Sequence, residues 1–125
     1  MKNTKSLTSN RDFLRLYKKG QSRVLKTCVL YIKKNRYAYN RLGVSASKKL
    51  GGAVVRNRAR RRLKEAYRNM EQSLKTGYDI VIVARSGALY KKHSFLISEM
   101  YSAFKSTGIY VGSDDPGVPH KTNNE

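Results

Sequence analysis

The sequence predicts a mixed helix-and-strand domain of the α+β class. Three observations point to it. Apolar residues recur at spacings of three and four in three separate stretches, the mark of amphipathic helices. Between them lie segments that alternate or concentrate β-branched residues over strand-like lengths. The chain has 125 residues, 39% of them hydrophobic, which suits one domain with a modest core.

The first helix is predicted over about 10–19. Ser9 and Asp12 are spaced like a capping box, Phe13, Leu16 and Tyr17 fall at i, i+3 and i+4, and Gly20 is a stop. Thr27 to Lys33 alternates as a strand, with Cys28, Leu30 and Ile32 on one face and Val29, Tyr31 and Lys33 on the other. Arg36 to Asn40 reads as a loop leading to a second strand, Leu42 to Ser47. A long helix follows the break at Gly51-Gly52, its stripe made by Val55, Ala59, Leu63, Ala66, Tyr67, Met70 and Leu74, with Gly77 ending it. Asp79 to Arg85 is a β-branched run short enough for a buried strand. Ile97, Met100, Tyr101 and Phe104 mark a last helix over about 93–107, closed by Gly108. Residues 1–110 form the domain; the Pro/Gly-rich, acidic segment 111–125 is expected to be disordered.

Charge narrows the function. Lys and Arg number 27 against 8 Asp and Glu, a formal net charge of +19. A compact chain this basic repels itself unless a polyanion is its normal neighbour, so RNA or DNA is the expected partner. The single cysteine, Cys28, permits no internal disulfide and points to a reducing compartment. No secretory signal or membrane-spanning run is visible, and a soluble cytoplasmic protein with no membrane partner is expected.

The strongest local feature is Arg56 to Arg68, where seven of thirteen residues are basic and one is acidic. On a helix the apolar set gathers on one side, Arg61 and Arg68 fall opposite it, and Asn57 and Lys64 lie beside them. An ordinary solvated face alternates charge sign; this one does not. Guanidinium forks bind phosphate through two N–H donors and stack on bases. The helix N-terminus adds unpaired N–H groups at its positive end. Phe13 and Tyr17 either join the core or cover the face of Val29, Tyr31 and Lys33 as the wall of a groove for single-stranded RNA.

The residues that catalysis would need are absent. His93 and His120 are the only histidines, and the carboxylates outside the tail are scattered over different elements. No paired-metal carboxylate cluster, phosphate-binding loop or dinucleotide fingerprint is present. No catalytic residue, no metal site and no small-molecule cofactor are therefore expected in the protein itself.

The string from Leu42-Gly43-Val44-Ser45-Ala46-Ser47-Lys48-Lys49-Leu50-Gly51-Gly52 through Ala53-Val54-Val55-Arg56-Asn57-Arg58 resembles the signature of the bacterial ribonuclease P protein subunit. The resemblance extends over about residues 8–108, from Asn10-Arg11-Asp12-Phe13 to the run Ile80 to Arg85 and the last helix. It implies an α/β sandwich of order αβββαβα, in the class typified by the second domain of ribosomal protein S5. Its sheet is mixed and four-stranded, with an extra short strand near Ser22–Val24 and a left-handed crossover through the basic helix. That hand is contrary to the general rule and not derivable from the residues.

The resemblance also implies a role: the protein subunit of a ribozyme endoribonuclease that removes the 5′ leader of precursor tRNA. The RNA subunit would hold Mg2+ and catalyse cleavage. Arg56, Asn57, Arg58, Arg60, Arg61, Lys64 and Arg68 would meet the ribonuclease P RNA. Phe13, Tyr17, Val29, Tyr31, Lys48, Lys49, Ala84 and Arg85 would line a cleft for the leader, which favours the groove reading of Phe13 and Tyr17. Tyr17 stands where the family often has Phe, and Ala46 where Val is common. A ribosomal or chaperone-type RNA-binding protein would share the composition; the signature separates the two.

Overall fold

The computed structural model describes residues 1–112. In chain order its elements are β1 (Thr4–Ser6), α1 (Asn10–Lys19), β2 (Gln21–Val24), β3 (Cys28–Lys34), β4 (Asn40–Ser45), α2 (Ala53–Arg68), β5 (Tyr78–Ala84), α3 (Gly87–Tyr90) and α4 (His93–Ser106). The strands form one mixed sheet in the order β1-β4-β5-β3-β2. β1, β4 and β5 are parallel, while β3 runs antiparallel to both β5 and β2. α2 joins the parallel neighbours β4 and β5. Helix, strand and sheet content match the expected α+β class, with β2 at the anticipated place.

Strand alternation sorts the sheet into two faces. Leu30 and Ile32, Leu42 and Val44, and Ile80 and Ile82 turn towards α2 and α4, where they meet Ala59, Leu63, Tyr67, Met100 and Phe104 in the main core. Tyr31, Val81 and Val83 turn the other way and pack with Leu7, Phe13 and Leu16 beneath α1.

Several expectations need correction. The sheet has five strands, not four, because the Thr4–Ser6 segment pairs with β4. Thr-Lys-Ser carries no apolar periodicity; the strand is held by docking instead. The buried Glu71 carboxylate accepts from Asn3 N–H and Thr4 Oγ1, each at 2.7 Å, and Thr4 Oγ1 lies 3.0 Å from the Tyr67 hydroxyl. The long helix ends at Arg68, not near Gly77. Met70 and Leu74 continue the spacing in sequence, but a 3₁₀ turn at Glu71–Ser73 brings both into the core without a helix. Val55 is exposed, so the buried stripe of α2 starts at Ala59.

Element ends shift for identifiable reasons. Thr27 stays out of β3 because its N–H and hydroxyl both bond Glu99 of α4, at 3.0 and 2.7 Å. β4 starts at Asn40, whose buried side chain bonds Lys75 O and Tyr78 N–H. Ser9 makes no side-chain cap on α1. Gly20 is required by close approach and not by a left-handed turn: a Cβ there would sit 2.8 Å from Leu16 O and 3.0 Å from Ile32 O. Val111 N–H donates to Ser73 O at 2.8 Å, which ties the start of the expected tail to the domain; residues 113–125 lie outside the described residues.

Candidate nucleic-acid interface

Parallel pairing brings the basic segments to one end of the sheet. β4 and β5 both finish where β3 begins, with Ser45 opposite Val83 and Cys28 opposite Ala84. Lys48 and Lys49 follow β4, Arg85 follows β5, and α2 starts from the same end at Ala53. No acidic residue occupies the first turn of α2, and Gly52 supplies no side-chain cap, so its positive end is electrostatically uncompensated.

Along α2 the expected segregation holds. Ala59, Leu63, Ala66 and Tyr67 are buried, while Asn57, Arg58, Arg61, Lys64 and Arg68 are exposed. Among the described residues, Arg58, Arg61 and Lys64 have no carboxylate within ion-pair distance, and Arg68 pairs with Glu65 at 2.7 Å. Arg56 is half-buried, its Nε enclosed without a partner. Arg60 donates to Asn57 Oδ1. Arg62 serves the fold instead, since its guanidinium donates to Ala88 O at 2.7 Å and to Lys91 O, and so fastens α3 to α2. Between α2 and β1 runs a groove of about 890 Å³, walled by Arg60, Arg61, Lys64 and Arg68 on one side and by Lys5, Ser6 and Thr8 on the other.

The aromatic surface forms on the α1 face. Phe13 and Tyr17 lie one turn apart with ring centroids 6.4 Å apart, and Tyr17 meets Tyr31 edge-on at 4.9 Å. Leu16, between them, is fully buried and anchors the helix. Tyr17 is 40% exposed, and Phe13, Val29, Tyr31 and Val83 are half-buried, a surface neither closed as core nor open as solvent face. Phe13 reaches this position only because residue 43 is glycine: a Cβ there would stand 2.5 Å from Phe13 Cζ.

Of the residues expected in the cleft, Phe13, Tyr17, Val29 and Tyr31 share this face. Lys48, Lys49 and Arg85 are exposed at its end. Ala84 is misplaced by the sequence reading. It pairs with Cys28 and belongs to the main core beneath the helices, and its neighbour Val83, opposite Val29, takes the place on the aromatic face. Alternation counted from Ile80 gives that parity. Gly43, Lys5 and Val83 were missed; for Lys5 no sequence signal exists, since its position depends on β1 docking.

A bonded charge cluster holds the far end of this face. Arg41 donates to both Asp79 oxygens, at 2.8 and 2.7 Å, and to Asp12 at 3.3 Å, which raises its pKa further above the ordinary arginine value. Asp12, expected in a capping box, is engaged here. Burial pushes the Cys28 thiol up to about 12 and the Tyr67 hydroxyl also up to about 12. Among the described residues no three His, Cys, Asp or Glu converge as a metal site, and no helix is long and apolar enough to cross a membrane.

Comparison with known proteins identifies the family and the fold. The ribonuclease P protein family model matches residues 1–108. The ribonuclease P protein component of Clostridium botulinum strain 657 is 44% identical over 105 residues, covering 83% of this chain and 95% of the relative. That of Clostridioides difficile strain 630 is 52% identical over 83 residues, 66% of this chain and 73% of the relative. Among solved structures, the RNase P protein of Staphylococcus aureus superposes with a TM-score of 0.73 at 31% identity, covering 84% of this chain and 96% of that one. The Thermotoga maritima RNase P protein gives 0.72 at 27% identity, covering 82% and 96%. With an uncompensated basic helix, an aromatic sheet face and the whole domain matched, the chain belongs to the ribonuclease P protein family.

Proposed function

We propose that this chain is the protein subunit of a ribonuclease P holoenzyme that matures the 5′ end of precursor tRNA in the cytoplasm. One observation carries the reading: a cationic helix and an aromatic sheet face open at the same sheet end, and each suits RNA in a different form. The α2 face, with Arg58, Arg61, Lys64 and Arg68 exposed, suits the phosphates of a folded partner RNA. The strip of Phe13, Tyr17, Val29, Tyr31 and Val83 suits an extended single strand, whose bases stack on rings while Lys48, Lys49 and Arg85 neutralise its backbone.

In this reading α2 holds the catalytic RNA and the sheet face holds the 5′ leader, so the protein positions the scissile bond against the RNA. Mg2+ is required by the holoenzyme and is liganded by the RNA; the protein side chains form no cluster suited to it among the described residues. The test is single-turnover cleavage of a 5′-labelled precursor tRNA by a bacterial ribonuclease P RNA at low magnesium, with and without the protein. The expected result is strong rescue by the protein and no cutting by protein alone. Tight RNA binding without rescue would demote the chain to a general RNA-binding module.

A further inference from the structure

We propose that a second pocket, beside α1 and beyond the stacking strip, binds the phosphodiester backbone of leader nucleotides upstream of those at Tyr31. This inference rests on the leader-binding reading above. The pocket has a volume of about 600 Å³ and lies between the C-terminal half of α1 and the end of β3. Its rim carries Arg15, Lys19, Lys33, Lys34 and Arg36.

Three features distinguish it from an ordinary solvated patch. First, its acids are already engaged. Asp12 and Asp79 are both bonded by Arg41, and among the described residues Lys19, Lys33, Lys34 and Arg36 have no carboxylate within ion-pair distance. Those cations are left for an external anion. Second, the pocket adjoins the stacking strip along β3. Lys33 lies two residues beyond Tyr31 on the same face of β3, roughly 7 Å along the strand. Because the start of α2, assigned above to the catalytic RNA, lies at the same sheet end as Lys48 and Arg85, the cleavage site belongs at that end, and a leader that stacks at Tyr31 runs towards Lys33 as it goes upstream. Third, an aromatic ring walls the pocket beside the cations. Tyr37 is 47% exposed, its N–H is fixed by Asn35 Oδ1 at 2.8 Å, and the Arg41 guanidinium carbon stands 4.9 Å from its ring centre. The ring also stacks on Tyr39, with centroids 5.1 Å apart, so it forms a fixed wall beside the cations and leaves backbone phosphate as the ligand chemistry of the pocket.

The experiment measures binding of the holoenzyme, assembled with a bacterial ribonuclease P RNA, to precursor tRNAs carrying a graded series of leader lengths. Wild type is compared with Tyr31→Ala and with the triple variant Lys19→Ala, Lys34→Ala, Arg36→Ala, whose positions are all exposed. Affinity is expected to rise in two stages as the leader lengthens. The triple variant keeps the first stage and loses the second. Its salt slope for long-leader substrate falls by about 2, at about 0.7 per released single-strand phosphate contact. Tyr31→Ala loses the first stage. Three results overturn the pocket assignment while leaving the leader reading intact: a single-stage rise in wild type, an unchanged long-leader salt slope in the triple variant, or an equal loss for substrates of every leader length with weaker binding to the catalytic RNA, which would make the pocket a contact to that RNA. No leader dependence at all in wild type would overturn the leader reading itself.

Discussion

Phe13 can serve as a groove wall because Gly43 leaves it room, and Tyr31 can serve as a stacking ring because Tyr17 meets it at a steep angle and does not stack flat on it. If the strip takes single-stranded RNA, Tyr31→Ala should weaken precursor tRNA binding by about 1–3 kcal/mol, the worth of one stacked base, and leave mature tRNA binding nearly unchanged. Paired filter-binding titrations check this, and equal loss for both RNAs would make Tyr31 structural. Cys28 and Tyr67 give a second test at this scale. Both acids are held protonated by burial, to about 12 when folded, whereas the unfolded thiol and phenol ionise at lower pH. Above the unfolded pKa values the native state binds more protons, so stability falls as pH rises. Melting followed by circular dichroism should show Tm dropping between about pH 9 and about pH 11, with part of the slope removed in Cys28→Ala. A flat Tm over that range would mean that neither group is held neutral. The sequence exposed the alternation that placed Tyr31 with Val29. It did not expose Gly43, because a glycine's role here is the ring it faces from an element thirty residues away.

At the scale of elements, α2 divides its labour by face. Leu63 is fully buried in the main core, and Leu63→Ala should cost about 3 kcal/mol of stability. Arg58→Ala should change stability by less than about 0.5 kcal/mol, since the side chain is exposed and has no ion-pair partner among the described residues. If it meets phosphate of the catalytic RNA, the same variant should flatten the salt dependence of assembly by about 1. Urea melts together with RNA titrations over a range of salt separate the two effects; an unchanged salt slope in folded Arg58→Ala removes that residue from the interface. The helix was readable because its period survives in sequence. Its end was not, because Met70 and Leu74 keep a helical spacing while Glu71 is drawn off to hold β1. β1 itself was invisible for the complementary reason. Three polar residues become a strand only when β4 offers an edge and a buried carboxylate offers a partner.

For the molecule as a whole, a net charge of +19 sets opposite salt responses with and without RNA. Free protein should gain Tm as potassium chloride is added, because screening relieves self-repulsion. RNA-bound protein should start higher, by about 2.7 kcal/mol at a hundredfold excess over Kd, and fall towards the free value as salt releases the RNA. Parallel curves that never converge would show that charge repulsion is not what the polyanion relieves. Composition, helical and strand periods and the Arg56-Asn57-Arg58 signature by themselves determined an α+β domain with one cationic helix face, since each is a local property of consecutive residues. The tertiary structure alone decided that β4 and β5 end together beside the start of α2, that Val83 and not Ala84 faces the groove, that β1 closes a fifth place in the sheet, and that Arg41 engages Asp12 and Asp79 and leaves four cations open. Each of these depends on pairing register and on contacts between residues far apart in the chain, and neither leaves a period that a single sequence can display.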